Sequence, residues 1–360
     1  MATQFRIGTF NVENLFSRAK VINFQNDERG TELLKKIAAL DDLLDQEVYD
    51  KAQIADVYDE LKDYISIEAD KGTFFGKTVN GKRTVIAKGR GDWRGRIEFK
   101  RDTFSDQTRK NTARVIHEIK ADICCLVEVE SRPVLKNFCT DVVNTGNFKH
   151  YTHVMCIDGN DMRGIDVSLV SRFPIRNLRS HVDDKQGKTV IFSRDCLEVE
   201  LLLPEERTLW LLINHLKSKL GPEADSAKKR KLQAQCVAEI LKGYDLTKDL
   251  VAVAGDFNDT PDSDALSPLL QTPHLHDVLK EQFPNPADRW TYHFKTNEQI
   301  DYLLVSEPLR GALQAASVER RGMWQVDKFS NGAIQPFPEI TRFAESASDH
   351  AAVYADFKLG

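Results

Sequence analysis

Short apolar runs separated by turn residues recur along the chain: Ile123–Val127, Val167–Val170, Leu197–Leu203, Leu209–Ile213, Leu250–Ala254 and Tyr302–Val305. They are rich in Val, Ile and Leu and bounded by Gly, Pro, Asp or Asn, which predicts central β-strands. Phe5-Arg6-Ile7-Gly8-Thr9-Phe10 alternates like a further strand at the start. Helical spacing predicts a helix over 108–120, where Ala113, Ile116 and Ile119 share a face. A second helix is predicted over 225–242, where Leu232, Cys236 and Ile240 recur at fourfold spacing. Strands and helices alternate without a regular βαβ beat, so an antiparallel-rich α/β architecture is expected rather than a doubly wound sheet.

Residues 26–110 follow a different pattern and read as an insertion within a single domain spanning 1–360. From Thr31 to Asp70 twelve acidic side chains face four basic ones, a net −8. Leu33, Ile37, Leu40, Leu44 and Val48 mark one helical face there, and Ile54, Tyr58, Leu61 and Ile65 another. From Lys71 to Arg101 the balance reverses, with ten Lys/Arg against Asp92 and Glu98, a net +8. Asn80-Gly81 in this stretch is the signal of a two-residue hairpin turn. Acidic helices over 31–70 and a basic hairpin over 71–101 are therefore expected. Two accounts of the charge stand side by side. The two pieces neutralise each other, or Lys82, Arg83, Lys88, Arg90, Arg94 and Arg96, with Trp93 among them, reach a polyanion.

A chain of 360 residues, 41% hydrophobic and 29% charged, buries a large core. Its net charge of −5 argues against coating nucleic acid by bulk electrostatics but allows a local basic surface. The six cysteines include an adjacent pair inside an apolar run and no CxxC, which predicts buried free thiols rather than disulfides. The first residues lead directly into a strand, with no charged start followed by a long apolar stretch. Neither a signal peptide nor a membrane span is expected, and the predicted compartment is the cytoplasm.

Candidate chemistry gathers at strand exits. Glu128 follows the Ile123–Val127 run, and Asn11 and Glu13 lie two apart on the first strand, where alternation places them on one face. Asp256 and Asn258 have the same spacing after Val251–Gly255, and Gly255 permits close backbone approach. Asp349-His350 sets a carboxylate beside an imidazole, and Asp301, heading the Tyr302–Val305 strand, is placed to fix the tautomer of His350. His215 precedes Lys217 and Lys219, cations suited to phosphate. Sparse acids of this kind suit Mg²⁺ or Mn²⁺, which take one or two carboxylates plus water and substrate oxygens. Activation of a phosphodiester needs such a cation, a positioned water and relief of developing charge. Any one of these residues alone reads as a cap or turn. Five strand ends suited to one reaction do not. His117, His150, His153, His181, His274, His276 and His293 lack such company and receive no role.

These segments together resemble the endonuclease/exonuclease/phosphatase superfamily, also called deoxyribonuclease I-like. The resemblance runs in order through Thr9–Leu15, Asp122–Val129, Gly164–Arg172, Asn214–Lys219, Gly255–Asn258, Ile300–Tyr302 and Ser348–His350, and leaves out roughly 26–105. It implies a four-layer α/β sandwich, two mixed sheets packed face to face with helices outside, with a pocket at one end. It implies that Glu128 binds Mg²⁺ with Asn11, Glu13 and Asp349 around the site. Asp256 and Asn258 would orient water and phosphate. His350, paired to Asp301, would bind the phosphate or act as base, and His215 would stabilise the transition state or assist the leaving oxygen. Asp166 sits where some family nucleases carry the acid that orients this second histidine. Val127 departs from the Gln common before the metal Glu, and the insertion is long.

The family's substrates differ, so fold alone leaves the substrate open. Gly255-Asp256-Phe257-Asn258 continues into Asp259-Thr260-Pro261-Asp262, without the Tyr-Arg typical of inositol 5-phosphatases. Asn214–Lys219, followed by a helix with Arg230 and Gln233, is similar to bacterial extracellular-type nucleases. The expected function is a divalent-metal-dependent phosphodiesterase of DNA or RNA leaving 5′-phosphate and 3′-hydroxyl ends. Lys217, Lys219, Arg94 and Arg96 would contact the substrate. The alternatives are a phosphatase or phosphodiesterase of a small metabolite or lipid headgroup, and a binding protein that has lost the chemistry.

Overall fold

The computed structural model describes residues 3–15, 27–79, 81–100, 106–161, 163–219 and 222–360. It divides into two units, Met1–Phe16 with Phe104–Gly360, and Ser17–Thr103.

Two six-stranded sheets frame the larger unit. The first runs Leu313–Glu319, Ala352–Leu359, Thr3–Leu15, Ile123–Val129, Asp166–Ser171, His153–Ile157. The second runs Leu275–Asp277, Asp301–Ser306, Leu250–Asp256, Arg207–His215, Cys196–Leu203, Ile175–Arg179. Each sheet has one parallel pair at its centre: Thr3–Leu15 with Ile123–Val129, and Arg207–His215 with Leu250–Asp256. A parallel pair needs a crossover, which helices Asp106–Ile119 and Glu223–Leu241 supply. The other ladders in both sheets are antiparallel.

The continuous apolar runs follow from burial on both faces. Cys125 and Val127 join Ala252, Ala254, Leu211 and Ile213 in the core between the sheets. Their neighbours Cys124 and Leu126 pack outward with Ala113, Ile116 and Ile119 of the first helix. Val251 and Val253 likewise pack outward with Ala234, Val237 and Leu241 of the second. Helix, sheet, sheet and helix make the four layers. All six cysteines are free thiols, five of them buried. Among the described residues, no helix is long and apolar enough to cross a membrane.

The second helix differs from its prediction. Its buried stripe is Ser226, Arg230, Gln233, Ala234, Val237 and Leu241, and the expected Leu232, Cys236 and Ile240 are only half-buried. Two polar residues take core positions because each is hydrogen-bonded there, although Gln233 Nε2 has no partner among the described residues. Arg230 donates to Asp259 Oδ2 (2.8 Å) and to the Lys217 carbonyl (2.9 Å), and Gln233 Oε1 accepts from the Lys217 amide (2.8 Å).

The smaller unit has its own core around Leu40, Ile54, Leu61, Ile65, Phe74 and Trp93. Its helices are Asp27–Leu44 and Lys51–Leu61, the latter capped by Asp50, which accepts from the amides of Ala52 and Gln53. The acidic helical stretch ends earlier than predicted. Val48 lies outside a helix and is exposed, and Ile65–Lys71 is a strand paired with Arg94–Phe99. Phe75–Val79 pairs with Lys82–Val85 across a two-residue connection in which Gly81 takes φ +81°; Asn80 lies outside the described residues. Charges pair across the acidic and basic halves: Lys82 with Asp56, Arg90 with Asp45, and Arg96 with Asp70 and also Glu98. Trp93 is not available to a polyanion, because it is buried and its indole donates to the Tyr49 hydroxyl at 2.7 Å. Arg94 is exposed.

Candidate active site

Ladder register brings the candidate residues of the larger unit to one end of both sheets. Asn11 lies opposite Val127, one residue before Glu128. In the second sheet His215 lies opposite Asp256, and Asp256 opposite Asp301. Asn11 joins the two sheets. Its Nδ2 is 3.3 Å from Glu128 Oε1, 3.1 Å from Asp256 Oδ2 and 3.5 Å from His350 Nε2.

Three of these residues hold left-handed backbones: Glu13 (φ 46°), Glu128 (φ 66°) and Asn258 (φ 56°). Glutamate has no preference for that region, so the conformation costs energy that surrounding contacts must offset. The ladder slips between Asn11 and Leu15 and between Val127 and Val129. Strand alternation therefore does not set Glu13 beside Asn11, as the sequence suggested. A bend does, fixed by the Glu13 amide donating to Asn11 Oδ1 at 3.0 Å. The same device recurs where the Asn258 amide donates to Asp256 Oδ1 at 2.8 Å. Asn258 Nδ2 is also engaged, 3.1 Å from both Asp256 Oδ2 and the Leu216 carbonyl. Both amide protons of Asn258 are thus directed at protein oxygens, and the residue holds Asp256 rather than reaching outward.

His350 is fixed from several sides. Its Nδ1 is 2.9 Å from Asp301 Oδ2, and its amide donates to Ser348 Oγ, which donates to the Asn11 carbonyl. Asp301 is held through its own amide, which donates to Thr291 Oγ1 at 3.1 Å. Nε2 faces inward, 3.9 Å from Asp256 Oδ2 and 3.8 Å from Asp349 Oδ1. Burial lowers the pKa of His350, but Asp301, Asp349 and Asp256 outweigh it and raise the group well above its ordinary value. His215 is the opposite case. Burial, with Arg194 and His350 adding, lowers it well below the ordinary value and keeps the ring neutral. Its Nε2 lies 3.6 Å from Asp256 Oδ2 and 3.8 Å from Glu128 Oε1.

The acids fit a hard divalent cation. Burial, then the charges of Asp349 and Glu128, push Glu13 up to about 8. Burial raises Glu128, and burial opposed by His350 brings Asp256 to about 7. Glu13, Glu128 and Asp349 thus offer an oxygen-only set whose mutual repulsion a cation relieves. Among the described residues, the group whose ligand atoms lie within 4.8 Å of one another is Asp256, Asp301 and His350, and Glu13, Glu128 and Asp349 do not form such a group. Within that group Nδ1 of His350 is committed to Asp301 at 2.9 Å, while Nε2 stands 3.9 Å from Asp256.

The structure does not bring Asp166 to His215. Asp166 Oδ1 accepts from the Gly159 amide at 2.9 Å, and burial pushes its carboxyl up to about 7. Nδ1 of His215 has no hydrogen-bond partner among the described residues. Lys219 is engaged with Glu298 at 2.8 Å, while Lys217 Nζ donates to the Ser218 carbonyl at 3.1 Å. A residue that the sequence reading missed is Arg194. It is fully buried, its Nη1 donates to the Leu216 carbonyl (3.3 Å), and its Nε lies 3.1 Å from Asp161 Oδ2. Its charge acts on Glu128 and His215 alike. The available signal was a guanidinium at the entry of the buried strand Cys196–Leu203, whose first residue pairs with Asn214.

The sequence profile described as the Endonuclease/Exonuclease/phosphatase family matches residues 93–289. The chain belongs to the endonuclease/exonuclease/phosphatase family. Members of this family are generally metal-dependent phosphoric ester hydrolases. The matched stretch contains Glu128, His215, Asp256 and Asn258, and the fold adds Asn11, Glu13, Asp301, Asp349 and His350 from outside it. Among solved structures, the endonuclease/exonuclease/phosphatase from Bacteroides vulgatus aligns with a TM-score of 0.54 at 13% identity, covering 99% of this chain and 100% of its own. An endonuclease/exonuclease/phosphatase family protein from Bacteroides thetaiotaomicron gives 0.52 at 14% identity, with coverage of 100% and 96%. The endonuclease/exonuclease/phosphatase from Beutenbergia cavernae gives 0.50 at 15% identity, covering 99% of this chain and 72% of that one. At these identities the likeness is one of fold. No curated protein matches the chain.

Proposed function

We propose that this family member is a Mg²⁺- or Mn²⁺-dependent phosphodiesterase of nucleic acid, DNA or RNA, that leaves 5′-phosphate and 3′-hydroxyl ends. The observation that carries the reading is the bridge from Asn11 to Glu128 and Asp256. It sets an oxygen-rich cation site against a buried base and two unlike imidazoles.

Glu128, Glu13 and Asp349 would hold the cation, with Asn11 orienting Glu128. A bound divalent ion supplies Lewis-acid stabilisation of charge on the phosphoryl oxygens. Asp256, raised toward neutrality and held by Asn11 and Asn258, takes the proton of the attacking water. His350, kept charged by its carboxylate neighbours, donates from Nε2 to a non-bridging phosphate oxygen. The neutral His215 offers one N–H to the oxygens that gain charge as the P–O3′ bond breaks. The 3′-oxygen then takes its proton from solvent. Arg194 and Lys217 add positive charge on the same side, which favours a polyanionic ester over a neutral one. Lys219 extends the candidate substrate contacts of the larger unit; in the smaller unit, taken by itself, Arg94 is an exposed cation and Arg96 is held by Asp70 and Glu98.

The test is hydrolysis of end-labelled single-stranded DNA, RNA and plasmid with Mg²⁺, Mn²⁺ or EDTA. Metal-dependent products ending in 5′-phosphate are expected. Absence of turnover with either metal would remove the reading.

A further inference from the structure

The strand pair Tyr292–His293 and Asn297–Glu298 forms a hairpin built into the rim of the site. Tyr292 bridges to His350, and the two rings lie 4.8 Å apart. Thr291, at the root of the hairpin, accepts the Asp301 amide. Glu298, on the return strand, holds Lys219 of the His215 loop at 2.8 Å. The hairpin thus touches both histidine-bearing sides of the site.

Its outer side is clamped as well. His293 stacks on Phe329 with centroids 3.7 Å apart and planes within 12°. His293 Nδ1 lies 2.7 Å from Asn297 Oδ1, and Asn297 Nδ2 donates to the Phe329 carbonyl at 3.0 Å. Phe294 and Lys295 lie in the bend that joins the two short strands. Two residues on from Tyr292, the Phe294 Cα lies within about 7 Å of that of the residue that bridges His350. Phe294 is 70% exposed, and the Lys295 ammonium is 5.8 Å from its ring centroid. A single exposed apolar side chain is ordinary on a protein surface. Here it sits at the tip of a hairpin fixed on two sides, next to a cation and two residues from Tyr292, whose ring lies against His350.

We propose that Phe294 is a stacking platform for the base of the nucleotide next to the scissile phosphate, with Lys295 beside it for the adjoining phosphate. The inference rests on the nuclease reading above. It names the substrate class as single-stranded nucleic acid, because a base stacks on a side-chain ring only when its own face is free. A ring carried on a braced hairpin tolerates any base, so the site gains affinity without strict sequence preference.

The experiment compares wild type, Phe294→Ala and Phe294→Trp on short DNA and RNA oligonucleotides, each also made with an abasic residue on either side of the cleaved bond. Phe294→Ala is expected to raise KM about tenfold on the intact oligonucleotides, and Phe294→Trp to restore it. An abasic residue at the stacked position is expected to raise the wild-type KM by a similar factor and to add nothing in Phe294→Ala. If wild type cleaves the oligonucleotides and Phe294→Ala has the same KM with the same abasic penalty, the platform is overturned and the nuclease reading stands. If wild type cleaves none of them with Mg²⁺ or Mn²⁺, the nuclease reading itself fails. A DNA-only or RNA-only response identifies the sugar of the nucleotide that Phe294 takes.

Discussion

Asn11 and Asp256, at the ends of strands in different sheets, are joined by a hydrogen bond of 3.1 Å from Nδ2 to Oδ2. The same amide reaches Glu128, so one neutral side chain keeps two buried carboxylates apart. Hydrogen bonds to charged groups contribute about 1.5–3 kcal/mol. Asn11→Ala should therefore lower kcat/KM by about 10- to 100-fold. Asn11→Asp adds a third charge and should also move the acidic limb of the pH–rate profile upward. A profile for Asn11→Asp that overlays wild type would contradict the bridging role.

Asp256 and His350 are expected to act on the chemical step. Asp256→Asn removes the proton acceptor while keeping the shape that Asn258 and Asn11 hold. Its kcat should fall by several orders of magnitude, on the order of 4 kcal/mol or more of transition-state stabilisation. His350→Ala should fall comparably. Steady-state rates with circular dichroism as a folding check decide the matter, and a loss under tenfold would mean the base lies elsewhere.

Metal binding should strengthen with pH. Glu13 and Asp256 have pKa values pushed up to about 8 and about 7, well above the ~4 of free carboxyls. The folded apo-protein therefore binds more protons than the unfolded chain between those limits, and their contribution to stability falls as pH rises through that window. A cation replaces the protons, so Mg²⁺ should raise Tm more at pH 8 than at pH 6 and release protons on binding. Calorimetry in buffers of different ionisation enthalpy measures the release. A Mg²⁺ affinity independent of pH from 6 to 8 would exclude Glu13 as a ligand.

Much of this site was legible because its residues break an apolar pattern. Glu128, Asp256 and Asp301 each stand at the end of a run whose two faces are both covered, and a charge there is conspicuous. Arg194 was not legible. One arginine before an apolar strand looks like an ordinary boundary, and only the pairing of Cys196 with Asn214 turns it toward the site. The buried stripe of the second helix was misread for a related reason. Arg230 and Gln233 are polar in sequence but hydrogen-bonded in the fold, so hydrophobic spacing points to the neighbouring face. In the insertion the charge blocks are plain, yet the sequence leaves both accounts of Trp93 open, because its partner Tyr49 is 44 residues away.

His181, which the sequence left without a role, should be a pH-dependent brace. Its Nδ1 lies 2.6 Å from Asp184 Oδ2 and its Nε2 2.6 Å from Glu198 Oε1. Burial lowers its pKa, but the two carboxylates outweigh this and raise it, while the same contacts with Tyr244 hold Glu198 below its usual range despite burial. The His181 contribution to stability is fully present below the unfolded value near ~6.5 and is lost as pH rises through the raised folded value. The Glu198 contribution is present above its unfolded value near ~4.3 and is lost as pH falls through the depressed one. The stability gap between wild type and His181→Ala should thus be widest near pH 5–6 and narrow toward alkaline pH. Urea midpoints across pH 4–9 measure it, and a gap that widens above pH 8 would contradict the assignment.

Gly255 is the position where backbone and catalysis meet. It takes φ +136°, and a Cβ there would lie 1.8 Å from the Asn214 carbonyl oxygen, so Gly255→Ala must both strain the residue and push the neighbouring strand. The conformational part alone costs about 1–3 kcal/mol. Asn214 cannot yield without carrying His215, its neighbour in sequence, away from its register with Asp256. Gly255→Ala should therefore lower the urea midpoint and reduce kcat even at temperatures where it remains folded. Gly311→Ala, at a helical glycine whose added Cβ would meet nothing within 4 Å, is the matched control and should leave kcat unchanged without lowering the urea midpoint. A folded Gly255→Ala with wild-type kcat would show that the ladder between His215 and Asp256 tolerates the shift.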